Sequence, residues 1–427
     1  MRPGFNKTTA NSRLVTLSAL LFLLSTTPAQ GAELETHGYL LFNYSGRINS
    51  ERPSQSNSDF LLGEERLRLD LSAWSETGDI SARFKGEVLH DAVDNETEIE
   101  LREIYLDVSS SHSDLRIGRQ IITWGVGDLL FINDVFPKNW QSFFSGRPLG
   151  YLKTGVDGAR LRYSGQTLNV ELIALPFFTP DTLPDPKRFS FFDPMAGVTD
   201  RAEIEPTSTF NNTEWAMRLY RRVGEFDVAA YLYKGFWRSP AMQPDSEIVP
   251  SQLTLFYPEL NVFGASAQGN VFGGVLSLEV GYYDSRGDSA GVEPAIPNSQ
   301  SRLLIGYQRQ LNQDLTLGVQ YYAEIMQDHG QYQESLPAGF PVQRRYRDIV
   351  TLRLEQFLKH QTLRLSFFSF YSPADRDYLI QPQAHYKLSD ELGISLGANI
   401  FGGKRDTSFL GQFGKNDNVY LALRFDF

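Results

Sequence analysis

From about residue 33 to the last residue, apolar and polar side chains alternate in segments of about ten residues. Residues 66–73 (RLRLDLSA), 167–172 (TLNVEL), 315–321 (LTLGVQY) and 350–355 (VTLRLE) are clear cases. A strand turns successive side chains to opposite faces, so a period of two predicts strands with one apolar and one polar face. The 3.6-residue period of an amphipathic helix is sustained nowhere after residue 32, and no low-complexity linker divides the chain. The pattern predicts about 18 strands, centred near residues 41, 68, 85, 104, 118, 160, 171, 217, 231, 263, 279, 305, 320, 352, 367, 382, 397 and 423.

The connections alternate as well. Short ones fall at 75–79, 109–113, 164–166, 223–225, 311–314, 359–361 and 389–391, with the Gly, Ser, Asn and Asp of tight hairpins. The others, near 48–58, 92–96, 125–154, 177–212, 239–257, 285–298, 327–344 and 403–417, are mostly long, with a brief one at 373–376. An all-β transmembrane antiparallel barrel has this asymmetry, short turns at one end and long loops at the other. An even strand number places both ends of the chain at the short-turn end. The final segment VYLALRFDF puts Val419, Leu421, Leu423, Phe425 and Phe427 on one face, which a barrel would turn to lipid.

The first 32 residues read differently. Arg2, Lys7 and Arg13 precede the apolar run LVTLSALLFLLS and the small residues around Ala29–Ala32, the order of a secretory signal peptide. The run is too short to span hydrocarbon as a helix, which takes about 20 residues. Domain organisation is therefore a signal peptide over 1–32 and one barrel over 33–427. Without the leader, 37 basic residues face 51 acidic ones, a balance that argues against nucleic acid as a partner. The chain has no cysteine, which removes disulfides, thiolate metal sites and covalently attached haem, and no cofactor is expected.

With the apolar face turned outward, the inward row is strongly charged. The predicted pore-lining residues are Arg66, Arg68, Asp70, Arg83, Lys85, Glu87, Glu103, Asp107, Arg116, Arg160, Arg162, Glu171, Arg218, Glu279, Glu324, Arg353 and Glu355, with Glu214, Arg302, Arg364 and Arg424 in the same phase. Lipid exposure of Arg or Lys at mid-bilayer costs about 2–4 kcal/mol, which enforces the inward assignment. Such a row is either a self-neutralising ladder or a selectivity device, in which opposed acidic and basic rows set a transverse field. Arg102 and Arg119 break the phase; they are expected near the rims, at strand ends, or are left without an explanation by the pattern. Tyr231, Tyr233, Tyr283 and Tyr322 fill space or offer ring surfaces to sugars.

Residues 118–146, GRQIITWGVGDLLFINDVFPKNWQSFFSG, are too aromatic for a loop in water. The segment about 125–150 is expected to fold into the barrel as a constriction, carrying Asp128, Asp134, Lys138, Trp140, Phe143 and Phe144, with Trp124 at its start. Gly118-Arg-Gln120 followed by Trp124-Gly125, Asp128 and Asp134 resembles a motif of bacterial porin-like barrels, including the alginate-export type. The resemblance in architecture covers the whole chain after the leader; that in motif covers about thirty residues. In the porins, the loop after strand five folds inward. Alginate exporters have an arginine-dominated lumen, and this mixed row departs from that. The ending with Phe425 and Phe427 resembles the C-terminal signal of Gram-negative outer-membrane barrels, which implies the barrel-insertion machinery as a partner beside outer-membrane lipids and lipopolysaccharide.

These readings converge on an outer-membrane channel for small polar or charged solutes. The alternatives are a conduit for polysaccharide export or a structural or adhesive barrel. An enzyme is not expected: among His37, His90, His112, His329, His360 and His385, His112 and His360 fall in short turns away from a plausible site, and for His90, beside Asp91, no serine nucleophile stands out. Asp128, Asn133 and Asp134 suit Ca²⁺ or, more simply, turn capping. The 177–212 loop is expected to dock on the barrel rim rather than act as a lid.

Overall fold

The computed structural model describes residues 33–427 apart from 50, 54, 55, 57, 247 and 248, so the leader assigned to 1–32 lies outside the described residues. In chain order the strands are β1 (Glu33–Arg47), β2 (Phe60–Trp74), β3 (Ile80–Asp91), β4 (Glu96–Ser109), β5 (Ser113–Gln120), β6 (Val156–Ser164), β7 (Asn169–Leu175), β8 (Asp200–Ile204), β9 (Glu214–Val223), β10 (Phe226–Phe236), β11 (Ala241–Pro244), β12 (Gln252–Phe256), β13 (Glu259–Val271), β14 (Gly274–Ser285), β15 (Gln300–Gln310), β16 (Leu315–Met326), β17 (Tyr346–Leu358), β18 (Leu363–Ser372), β19 (Asp377–Lys387), β20 (Leu392–Gly403) and β21 (Asn418–Asp426). Eighteen of them form one antiparallel sheet, each paired with its neighbours in that sheet. The sheet closes where β1 meets β21, Tyr39 opposite Asp426 and Arg47 opposite Asn418. Closure leaves the barrel without an edge strand.

Each of the eighteen centres read from alternation lies in a separate barrel strand. The remaining three strands lie in loops expected to be irregular. They make a small sheet in which β12 pairs with β11 antiparallel and with β8 parallel, so the loops after β7 and β10 are joined. One turn escaped the sequence reading. Phe272 and Gly273, at φ 51° and 76°, link β13 to β14 in the conformation of a two-residue hairpin. A phenylalanine is not a turn signal, and Gly273 carries the turn.

Alternate residues expose apolar side chains on the outer face. Leu67, Leu69, Val88, Ile117, Leu161, Phe263 and Ile305 are all exposed, as are Val419, Leu421, Leu423, Phe425 and Phe427. The last strand is tied down to its final residue: Phe427 exchanges backbone hydrogen bonds with Gly38 at 2.9 and 3.0 Å. Two short helices lie in the long loops. Helix α1 (Trp140–Ser145) begins where the Asn139 side chain accepts a hydrogen bond from Ser142 N and ends at left-handed Gly146; α2 (His329–Ser335) lies between β16 and β17.

Candidate functional site

Residues 121–155, between β5 and β6, reach strands around most of the circumference. The backbone N–H groups of Val126, Gly127 and Asn133 donate to the Glu279 carboxylate of β14 at 2.9, 3.1 and 2.7 Å. The Gln320 amide of β16 takes both backbone groups of Asp128, each at 2.8 Å. Asn399 of β20 and Asn418 of β21 donate to Phe144 O at 3.1 and 3.2 Å, and Asn43 of β1 donates to Gly146 O at 3.2 Å. A single segment can touch β14, β16, β20, β21 and β1 only from inside the closed sheet. These contacts therefore define the inner face.

Glycine makes room for the segment. Gly264 and Gly281 face each other across β13 and β14. A Cβ at 264 would stand 1.7 Å from Asn133 Oδ1, and one at 281 would stand 2.6 Å from Ile132 Cγ2. The segment lies in the depression they leave, with Ile132 fully buried. Its rings pack on the wall: Trp124 against Tyr231, Phe143 against Phe370, and Phe144 against Phe401 and Phe413. Tyr231, Tyr233, Tyr283 and Tyr322 are buried in the same cluster. They fill space here.

The polar residues of the segment are engaged individually. Asp128 pairs with Arg353 at 2.5 Å, Asn133 Nδ2 donates to Glu279 at 3.0 Å, and Asp134 takes Lys138 at 3.1 Å and Lys153 at 2.7 Å. The three residues suggested for Ca²⁺ thus serve separate partners. Lys138 is enclosed, and burial pushes its ammonium below the usual lysine range despite Asp134. Asp181 accepts from Lys138 N at 2.7 Å and Trp140 Nε1 at 3.0 Å, while burial raises its carboxyl above the usual range.

Much of the charged row sits on the inner face of β2–β7 and β9, with both signs interleaved along that wall. Arg66 is enclosed by Glu64, Glu87 and Glu100. Arg68 lies 3.4 Å from Asp70 and 3.5 Å from Glu87, Lys85 2.6 Å from Glu103, and Arg116 2.7 Å from Asp107. Arg83 is 3.7 Å from Asp70. Further round, the balance shifts. Arg160 stands in register with Arg116 and 4.0 Å from Glu171, and Arg162 is 3.7 Å from Asp114. Arg218 makes no ion pair among the described residues and lies over the Tyr220 ring at 4.5 Å. On the facing wall Glu324 takes Arg302 at 3.3 Å and Arg347 at 3.1 Å, and Glu355 lies 4.0 Å from Arg364.

The two residues out of phase have a cause. The β3–β4 register slips between Lys85 and Gly86, which leaves Arg102 unpaired in a bulge. Arg102 is re-aimed inward rather than placed at a strand end, and it donates to Gly150 O and Lys153 O, both at 3.0 Å. Arg66 and Arg102 lie over the Tyr151 ring at 4.5 and 4.6 Å. Tyr151 in turn bonds Tyr39 at 2.5 Å and Glu87 at 2.9 Å. Arg119, at the end of β5, pairs with Asp157 at 2.7 Å and donates to Leu101 O. Glu64, Arg147 and Tyr151 were not read from the sequence as site residues. Glu64 shares the phase of Arg66 and was legible on that ground; Arg147, paired with Glu64, and Tyr151 carry no such signal.

The loop after β7 does more than dock on a near rim. Arg188 donates to Asp91 and Asp94 and to Leu61 O, and Ser190 exchanges hydrogen bonds with Asn416 at 2.7 and 2.6 Å. Six barrel strands separate β7 from β21, so the loop crosses the mouth. Among the histidines, His112 meets Ser111 at 2.8 Å in a short turn and His385 meets Ser395 at 2.9 Å, where the charges facing it are Arg364 and Arg424 rather than an acid. A serine–histidine pair without an orienting carboxylate is not a hydrolase triad.

No protein-family model matches the chain, and no curated protein does. Solved structures do match in fold. Pseudomonas aeruginosa OccK2 (OpdF), crystallised in complex with glucuronate, aligns with TM-score 0.55 at 10% identity, over 92% of this chain and 98% of its own. P. aeruginosa OccK9 (OpdG) aligns with TM-score 0.55 at 11% identity over 93% and 98%, and OccK5 (OpdH) with 0.54 at 12% over 92% and 97%. In fold, the chain, a closed 18-stranded antiparallel barrel, is similar to these outer-membrane porins.

Proposed function

We propose that the chain is an outer-membrane channel for small polar solutes, with a preference for anionic ones. The single observation that carries this is a barrel apolar outside and charged inside, crossed internally by one long loop. Only a membrane-spanning barrel has reason to invert the usual polarity. Residues 1–32 act as the export leader, and Phe425 and Phe427 as the insertion signal in this reading. Trp124, Asp128, Asp134, Lys138, Trp140, Phe143 and Phe144 belong to the segment that sets the cross-section.

The anion preference rests on which charges remain available. Arg66 is fully enclosed by carboxylates, so its charge is spent locally. Arg160, Arg162 and Arg218 are not neutralised so closely, and a solute passing β5–β9 meets them. The glucuronate bound by OccK2 is a small carboxylated sugar of this kind. Export of an anionic polymer is the weaker reading, because the remaining basic residues of this wall are interleaved with acids.

Single-channel recording in a planar bilayer tests the proposal. The purified protein should conduct, and a salt gradient should give a reversal potential of anionic sign. Deleting residues 130–145 should raise conductance several-fold in a barrel that still assembles. A barrel that inserts but never conducts, with or without the deletion, overturns the channel reading.

A further inference from the structure

Beside the internal segment lies a cavity of about 780 Å³, lined by residues 129–144, by the loops after β7, β10 and β20, and by the adjoining ends of β13–β19. Its volume is in the range of small-molecule sites. We infer that this vestibule binds an uncharged aromatic compound of one or two rings. The assignment adds a ligand class to the channel reading and rests on it only for the route by which the compound arrives.

Two features carry it. First, the lining is rich in rings: Phe131, Trp140, Phe192, Trp237, Phe370 and Phe409 all reach the cavity. Phe192 and Phe409 are 36% and 41% exposed although they sit in loops that fold back over the barrel. Ring faces held half-open toward a cavity are complementary to another ring, by offset or edge-to-face contact. Second, the charged groups around these rings are already engaged. Lys138 is with Asp134, Arg201 with Asp193, and Arg238 with Glu214, while Asp181 is taken by Lys138 N and Trp140 Nε1. Glu324 answers both Arg302 and Arg347, and Arg302 also lies 3.8 Å over the Tyr283 ring. An ionic ligand would have to displace one of these pairs; a neutral ring displaces water only.

Tryptophan emission reports the site, since Trp140 and Trp237 line it and are two of the chain's five tryptophans. The full-length barrel in detergent, with protein-free micelles subtracted, is titrated with 4-nitrobenzyl alcohol, a neutral nitroaromatic quencher. Saturable quenching is expected. Phe192→Ala and Phe409→Ala, both at half-exposed positions, should each raise Kd about three- to tenfold, the worth of one ring contact. Benzyl alcohol should compete, and cyclohexylmethanol should compete at least threefold less well. Three results each overturn the assignment: quenching that never saturates, equal competition by cyclohexylmethanol, or tenfold tighter binding of 4-nitrobenzoate than of the alcohol. Conductance is read separately. Conduction without saturable quenching sinks the aromatic site and leaves the channel; saturable quenching without conduction does the reverse.

Discussion

Arg68 faces Glu87 across β2 and β3, whereas Gly264 faces Gly281 across β13 and β14. Both pairs are inward and both obey the same alternation, yet they make opposite walls. On the first, long charged side chains cross-link neighbouring strands and stay with their own wall. On the second, missing side chains leave a depression, and the internal segment fills it through Ile132 and Asn133. The difference explains why the segment leans where it does. A ladder of paired charges resists displacement, because moving a partner strands its counter-charge. A glycine gap costs nothing to enter, and the buried N–H groups brought with the segment find Glu279 waiting.

Removing Arg66 should break the first wall most severely. Arg66→Ala takes one of two guanidinium partners from each of the buried Glu64 and Glu87, leaving Arg147 and Arg68, for a loss of about 3–5 kcal/mol; urea unfolding in lipid–detergent micelles reads it. A loss below about 1 kcal/mol would mean that water reaches the ladder. Next, Leu69→Arg places a cation on the outer face beside this ladder and should cost about 2–4 kcal/mol if the site lies at mid-bilayer, whereas Asp70→Asn on the inner face is tolerated. Reversed sensitivities would put the strand phase off by one. On the second wall, Gly264→Val fills the depression and should cost about 1–3 kcal/mol as overpacking, with a rise in conductance as the segment is pushed away. Unchanged conductance would separate the seat from the cross-section. The smallest change in stability is expected at Arg218→Ala, within about 0.5 kcal/mol, since no ion pair is lost there among the described residues. Its reversal potential should still move toward cations. That shift should fade near 1 M salt, where the screening length is about 3 Å.

Within each wall, local and distant information separate cleanly. The strand through Arg66, Arg68 and Asp70 was legible because its partners alternate with Leu67 and Leu69 over a few residues. Arg102 showed only as a break in phase; the bulge that aims it inward is a mismatch between two strands, and one strand alone does not say where its odd residue goes. The aromatic crowding of 118–146 announced an inward segment; nothing in it named Glu279, 146 residues beyond Asn133, as its acceptor. The loop after β7 reads as Pro- and Phe-rich surface chain, and its crossing of the mouth is set by Arg188 meeting Asp91 and Asp94 about 95 residues upstream.

Alternation, turn chemistry and an even strand number were enough by themselves to determine a closed antiparallel barrel. Those properties repeat every two residues and are written wherever a strand passes through a membrane. Only the tertiary structure decided which inward charges neutralise one another, where the internal segment is seated, and that the mouth holds a ring-lined vestibule. Each of these depends on residues that meet across a closed sheet, and closure sets that geometry by register and shear rather than by any local pattern.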